Sequence, residues 1–137
     1  MRVWAVIDTN VVVSAIMARH ADSAVVKVLE AVFDGRIVPV VHAEILKEYR
    51  EVLSRRKFGF SPDKIAAVVN MFEAEGEMAT PTLADANVPD PKDRIFYEVV
   101  LSKRNLDAKL VTGNKAHFPV KPFIVSAAEM MALLERN

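Results

Sequence analysis

The sequence predicts an α/β fold, a three-layer α/β/α sandwich with a mostly parallel central sheet. Short runs of β-branched residues alternate with longer segments of helical periodicity, which is the pattern of βα units. The strand candidates are nearly all apolar, as expected for a sheet that helices cover on both faces. We expect a single domain over residues 1–137, because 137 residues are too few for two domains of ordinary size.

The first part of the chain predicts two strands and two helices. Val3–Ile7 and Ile37–Val41 are apolar runs of strand length. Between them, Ser23–Phe33 carries apolar residues at helical spacing and stops just before Gly35, a residue suited to the left-handed conformation that closes a helix. Ala43–Arg56 is the next helix, because its apolar side chains recur on one face.

The later elements follow from capping residues and further apolar runs. Ser61 and Pro62 provide the N-cap and the first position of a helix that runs to about Glu75. The remaining predicted elements are a weak strand at Glu77–Thr82, a helix that opens at Asp90–Asp93, strands at Lys109–Thr112 and Phe123–Val125, and a last helix at Ala127–Glu135.

Composition excludes several function classes. The chain has 18 Lys plus Arg and 18 Asp plus Glu, so it generates little long-range field and must meet any polyanion with a local patch. The absence of cysteine excludes disulfides, thiolate metal sites and thiol nucleophiles. No apolar run has the length of a membrane span, and the N-terminal run is too short for a signal peptide. We therefore expect a cytoplasmic protein with no membrane partner.

Polar residues cluster where predicted strands end. Asp8–Asn10 follow the first strand, Thr112–Asn114 follow the strand that begins at Lys109, and Asp90–Asp93 open a helix that should lie nearby. In open parallel sheets the working crevice lies beyond the carboxyl ends of the strands. These segments are therefore the candidate site.

The helix from Ala43 adds a carboxylate. Its apolar stripe consists of Ile45, Leu46, Tyr49, Val52 and Leu53. Glu48 lies about 40° beyond the edge of this stripe and Glu44 about 80°, so Glu48 is better placed to face inward. In the later helix, Asp93 lies about 20° from Val100 on the wheel, beside the buried face.

Three carboxylates in one place need compensating charge. Two unit charges about 4 Å apart repel by about 4 kcal/mol at an effective dielectric constant of about 20, so Asp8, Glu48 and Asp93 could gather only with protons or a cation. Such hard oxygen ligands select Mg²⁺ or Mn²⁺. A divalent ion can orient a water molecule, lower its pKa and stabilise charge on a phosphoryl oxygen. The pattern therefore indicates hydrolysis of phosphodiesters.

Four segments in this order resemble a known family. They are Val6–Ala15, Glu48–Leu53, Asp90–Asp93 and Leu110–Pro119. With them the chain resembles the PIN-domain ribonucleases, and specifically the branch assigned as toxins of toxin–antitoxin systems. The resemblance covers essentially the whole chain and implies a PIN-like fold.

The resemblance implies a set of catalytic residues. Asp8, Glu48 and Asp93 match the metal-binding carboxylates of the family, and Asn114 stands where many PIN domains have a fourth acidic residue. An amide can bind a ligand or donate a hydrogen bond but adds no charge. Three negative charges favour one ion, or a second ion that arrives with the substrate.

The resemblance also implies supporting residues, a substrate and partners. Thr9 or Asn10 would orient the first carboxylate or its water. Independently of the resemblance, Lys92, Arg94 and Lys115 are candidates to neutralise the phosphate backbone. We expect cleavage of single-stranded RNA to products with 5′-phosphate and 3′-hydroxyl ends, an antitoxin protein that blocks the cleft, and a homodimer. The supporting residues are Thr9, Asn10, Asp90, Thr112, Lys92, Arg94 and Lys115.

Other interpretations remain open at this point. A haloacid-dehalogenase-type phosphohydrolase would use Asp8 as a nucleophile but requires an aspartate where Asn10 stands. A PIN-like binding module without turnover is suggested by Asn114. Asp90 is favoured as a helix cap, and His117 as a surface histidine. Residues 54–60 are equally an RNA contact or a set of charges at a helix C-terminus.

Overall fold

A five-stranded parallel sheet forms the centre of the molecule. The computed structural model describes residues 2–84 and 88–136. Within them the strands are β1 (Val3–Ile7), β2 (Ile37–Val41), β3 (Glu77–Met78), β4 (Lys109–Val111) and β5 (Ile124–Val125), paired in the order β3-β2-β1-β4-β5. All four pairings are parallel, so the predicted parallel sheet is confirmed.

Six α-helices of the described residues pack around this sheet. α2 and α4 contact β2, whereas α5 contacts β1 and β4. The predicted α/β sandwich is therefore confirmed. The helices are α1 (Thr9–Met17), α2 (Ala24–Phe33), α3 (Ala43–Leu53), α4 (Pro62–Glu75), α5 (Arg94–Ser102) and α6 (Ala127–Glu135).

The helix α1 is a feature that the sequence pattern does not predict. It contains the run Val11–Val13, and β-branched residues have low helical preference. Asp8 starts the helix, because its Oδ1 accepts a hydrogen bond from the Thr9 backbone N–H at 2.9 Å. Asp8 is thus both the first residue after β1 and the N-cap of α1.

Several predicted boundaries differ from the structure. α3 ends at Leu53 instead of Arg56, because the Ser54 and Arg55 N–H groups close its last turn. The helix predicted to open at Asp90 begins as the 3₁₀ helix Pro91–Asp93, which leads into α5. β3 has two residues instead of six, and β4 and β5 are each one residue shorter than predicted. Two further 3₁₀ helices, Arg104–Leu106 and Lys115–His117, are not predicted.

Tyr49 connects the core to the end of the central strand. It is fully buried on α3, and its ring centroid lies 4.9 Å from that of Phe72 and 6.4 Å from that of Phe96. Its hydroxyl donates a hydrogen bond of 2.5 Å to the carbonyl of Ile7. Burial raises the pKa of Tyr49 well above its usual value, and the charges of Asp8 and Glu48 add to this effect. The hydroxyl therefore keeps its proton and holds α3 against the end of β1.

None of the helices in the described part of the chain combines the length and the apolar character that crossing a bilayer requires.

We predict that Tyr49→Phe lowers the free energy of unfolding by about 1–2 kcal/mol, because the buried Ile7 carbonyl loses its donor while the packing of the ring is kept. Urea unfolding followed by circular dichroism measures the change. Equal stability of the two chains would mean that this hydrogen bond contributes nothing to holding α3.

Candidate active site

The candidate site lies at the carboxyl ends of β1 and β4, two neighbouring strands. Ile7 pairs with Val111, and the Asp8 N–H continues the ladder by donating to the Val111 carbonyl at 2.9 Å. The residues that follow, Asp8 and Thr112, therefore lie side by side. A cleft of about 340 Å³ opens here, lined by Asp8, Thr9, Asn10, Val13, Ser14, Glu48, Val52, Arg55, Phe58, Asp90, Asp93 and His117.

Asp8 is the most buried carboxylate of the cleft, with 4% of its surface exposed. Its Oδ2 accepts a 2.7 Å hydrogen bond from the Thr112 hydroxyl, and its Oδ1 accepts one from the Thr9 N–H. Its pKa is raised to about 6, mainly by burial and in part by the charges of Asp93 and Glu48, while the hydrogen bonds from Thr112 and Thr9 oppose the shift. The site therefore holds Asp8 firmly while disfavouring its charge.

Glu48 reaches the cleft from α3. It is half-buried, whereas Glu44 on the same helix is exposed. Its Oε2 accepts a 2.5 Å hydrogen bond from the Thr9 hydroxyl. Burial raises the pKa of Glu48 and so does the charge of Asp93, while the hydrogen bond from Thr9 opposes the shift. Thr9 thus contacts two carboxylates, Asp8 through its backbone and Glu48 through its side chain.

Asp93 lies at the junction of the 3₁₀ helix and α5. Its Oδ2 is buried and accepts no well-aligned hydrogen bond from the described residues, although His117 Nδ1 lies 3.2 Å away. Burial raises the pKa of Asp93 and the charge of Asp90 adds to this, whereas His117 lowers it. This oxygen is a buried acceptor that still lacks a full partner.

The remaining predicted polar residues form links between loops. Gly113 N–H donates to Asn10 Oδ1 at 3.1 Å, and Asn114 N–H donates to the Thr112 hydroxyl at 3.0 Å. The Asn114 side-chain nitrogen lies 2.9 Å from His117 Nε2. Asn114 therefore contacts the carboxylates only through Thr112 and His117, and it is not part of the lining of the cleft.

Asp90 has the local role that its sequence context favours. Its Oδ1 accepts a hydrogen bond from the Lys92 N–H at 2.9 Å, which caps the 3₁₀ helix. It is exposed and also lines the cleft. Its charge contributes to the raised pKa of Asp93.

The three predicted cations lie in different surroundings. Lys92 lines a smaller pocket of about 230 Å³ together with Glu48, and its charge lowers the pKa of that carboxylate. The Arg94 guanidinium instead contacts Glu98 at 3.2 Å, and Lys115 Nζ lies 2.5 Å from Glu129 Oε1. Lys92 therefore lies close enough to a cleft carboxylate for its charge to act on it.

Six residues in the cleft wall are not among the predicted site residues, and three of these six have ionisable or aromatic side chains. His117 carries only a weak signal in the sequence, its position three residues after Asn114. Arg55 and Phe58 belong to the basic and aromatic stretch 54–60, for which a nucleic-acid contact and a structural role were equally expected. Their position on the cleft depends on how the turn after α3 folds back.

The donor set fits a hard divalent cation. Three carboxylates of raised pKa line one cleft, and Asp93 presents a buried oxygen without a full partner. Within residues 2–84 and 88–136, however, no three carboxylate or imidazole groups lie together closely enough to hold an ion as they stand. Binding would therefore require the side chains to converge further.

A family model described as PIN domain matches residues 4–116. The matched span includes Asp8, Glu48, Asp93 and Asn114 and covers most of the chain, so the resemblance to PIN domains that the motifs indicate is confirmed. No curated protein matches this chain.

We predict that Asp8→Asn stabilises the metal-free protein at pH 7 by up to about 3 kcal/mol and leaves its stability nearly unchanged at pH 4. The pKa of Asp8 rises from 3.8 to about 6 in the folded state, so that state holds the proton more tightly. The wild-type chain therefore loses stability as the pH rises through this interval, and the amide does not. Urea unfolding of both chains in EDTA at the two pH values measures the difference. A variant less stable than wild type at pH 7 would contradict this account.

Proposed function

Since this chain belongs to the PIN-domain family, we propose that it is a metal-dependent endoribonuclease that hydrolyses phosphodiester bonds of single-stranded RNA. PIN domains are typically nucleases that act on nucleic acids and generally use divalent metal ions. The finer elements of the proposal are the RNA substrate, the dependence on Mg²⁺ or Mn²⁺, and a role as the toxin of a toxin–antitoxin pair.

The observation that carries the proposal is the convergence of Asp8, Glu48 and Asp93 on one cleft. They come from three distant segments, and burial raises the pKa of each. The charge of Asp93 also raises the pKa of Asp8 and Glu48, and the charge of Asp90 raises that of Asp93. We assign all three as ligands of one Mg²⁺ or Mn²⁺ ion. When bound, such an ion lowers the pKa of water and neutralises charge on phosphoryl oxygens.

The neighbouring side chains position these ligands. The hydroxyls of Thr112 and Thr9 donate to Asp8 and Glu48 and thereby fix the carboxylate planes, while the remaining lone pairs stay available to a cation. His117 lies between Asp93 and the amide of Asn114. In this scheme Asn114 is a positioning residue that acts through His117, in place of the fourth charged ligand of other PIN domains.

Positive charge for the RNA backbone would come from residues near the cleft. Lys92 lies beside Glu48, and Arg55 is part of the cleft wall. Arg94 and Lys115 remain candidates, but they would have to leave Glu98 and Glu129 to reach a phosphate group. Each phosphate contact would add to the salt dependence of binding.

The partners of the proposed toxin follow from the family alone. An antitoxin protein that covers the cleft would inhibit the enzyme, and two copies of the chain would form a homodimer. A cytoplasmic location fits both the RNA substrate and such a partner.

A second candidate is a PIN-like module that binds nucleic acid without turnover. Two observations favour it. Asn114 supplies no fourth charge, and among the described residues the acidic and histidine side chains form no ready metal-binding group. This candidate and the nuclease differ in whether the cleft binds a divalent cation.

We predict that Asp8→Asn and Glu48→Gln each reduce the cleavage of an unstructured RNA in Mg²⁺ or Mn²⁺ by about a hundredfold or more, because each removes a ligand charge. EDTA should abolish cleavage by the wild-type chain. Glu51→Gln is the matched control, since Glu51 is an exposed carboxylate of α3 that lies 3.9 Å from Lys47. Gel analysis of a labelled RNA gives the rates, and full activity of Asp8→Asn would reject the mechanism.

We also predict that titration calorimetry detects Mn²⁺ binding to the wild-type chain and that Glu48→Gln or Asp93→Asn weakens it by about tenfold or more, because each variant loses a charged oxygen ligand. Glu51→Gln should bind Mn²⁺ like the wild type. The absence of detectable heat at millimolar Mn²⁺ would instead support the module without turnover.

A further inference from the structure

The turn between α3 and α4 lines the cleft but has no part in holding the proposed ion. Arg55 and Phe58 belong to the same cleft wall as the carboxylates. The ring of Phe60 lies beside that of Phe58, with centroids 5.7 Å apart and planes 10° from parallel. Between them Gly59 has φ +66°, a conformation that other residues rarely adopt, so the turn itself brings the two rings together.

The same turn carries positive charge that the chain does not neutralise. Arg55, Arg56 and Lys57 are all exposed, and none of them has a carboxylate within 4.0 Å in the described part of the chain. Lys57 Nζ lies 5.2 Å from the centroid of the Phe58 ring. The whole chain has no net charge, but these three neighbouring cations form a local positive patch that can attract a polyanion.

A purely structural role explains only part of this turn. Cations near a helix C-terminus interact favourably with the helix dipole, and α3 ends at Leu53. That interaction accounts for positive charge here. Phe60 is partly buried and packs against the hydrophobic core, which accounts for its place in the turn. Neither interaction accounts for the presence of Phe58 on the carboxylate cleft.

We propose that Arg55, Phe58 and Phe60 form a nucleotide-binding subsite for a single strand, in which a base stacks on the Phe58–Phe60 pair and Arg55 contacts the adjoining phosphate group. This inference rests on the proposed function for the identity of the cleft. Every nucleobase has a face that can stack on an aromatic ring, so the subsite is tolerant of sequence. It selects single strands, because the bases of a duplex are already stacked on one another.

The first test measures the affinity for a fluorescently labelled single-stranded RNA by anisotropy, with Mg²⁺ and in an Asp8→Asn background that suppresses cleavage. Phe58→Ala should weaken binding by about tenfold, whereas Phe58→Trp should retain it. Phe58→Leu keeps the apolar bulk without an aromatic face and should also bind more weakly. Circular dichroism verifies that each variant folds.

Phe33→Ala provides the matched control. Phe33 is 71% exposed at the end of α2, just before β2 begins, and therefore lies near the amino ends of the strands, whereas the cleft lies at their carboxyl ends. Its loss should leave RNA affinity unchanged. Arg55→Gln should reduce the slope of log affinity against log salt by about one unit, as expected for the loss of one phosphate contact.

A spectroscopic readout separates stacking from a general loss of charge or packing. The chain contains one tryptophan, Trp4, which is near the start of β1 and distant from the carboxyl ends of the strands. Phe58→Trp places a second indole on the cleft wall. We expect its fluorescence to be quenched when RNA binds, while the emission of the wild-type chain stays constant.

Two results would overturn the subsite. One is an unchanged RNA affinity of Phe58→Ala, the outcome if this turn serves a protein partner. The other is an equal loss of affinity for a duplex of the same sequence. Cleavage is measured in a separate experiment. If Asp8→Asn abolishes cleavage but Phe58→Ala leaves RNA affinity unchanged, the subsite is rejected and the proposed function stands. If Phe58→Ala lowers the affinity for RNA but the wild-type chain never cleaves RNA, the subsite is supported and the proposed function is rejected.

Discussion

The parallel pairing of β1 with β4 is the constraint on which the site depends. The register that sets Ile7 against Val111 makes Asp8 and Thr112 neighbours, although 104 residues separate them in sequence. The 2.7 Å hydrogen bond between their side chains closes this junction. A shift of one residue in this pairing would turn the alternating side chains to the other face and separate the two groups.

The charge of the site opposes the stability of the fold. Burial disfavours the ionised form of Asp8, and the nearby carboxylates of Glu48 and Asp93 disfavour it further. Hydrogen bonds from Thr9 and Thr112 offset part of this cost without removing the charge. Local destabilisation of this kind is common at functional sites, where binding of a ligand can compensate for the lost stability. A cation is the chemically matched ligand for this cleft.

The cleft and the turn beside it combine two chemistries. Carboxylates at the strand ends suit a hard cation, whereas Arg55 and the aromatic pair of Phe58 and Phe60 suit a phosphate group and a base. A substrate that carries both phosphates and bases would use the two together. In a chain of balanced charge, this local separation of positive and negative groups is what can provide recognition.

Local patterns in the sequence were sufficient to predict the parallel α/β fold and to place most element boundaries within a few residues. They also predicted that Asp8, Glu48 and Asp93 would face one crevice. Apolar periodicity, capping residues and the rule for strand ends act over short stretches of chain, so they can be recognised without coordinates. The contact between His117 and Asp93 and the place of Phe58 on the cleft wall could not be inferred in that way. These features depend on where the turns fold back and on the rotamers of side chains from distant segments, which only packing in three dimensions establishes.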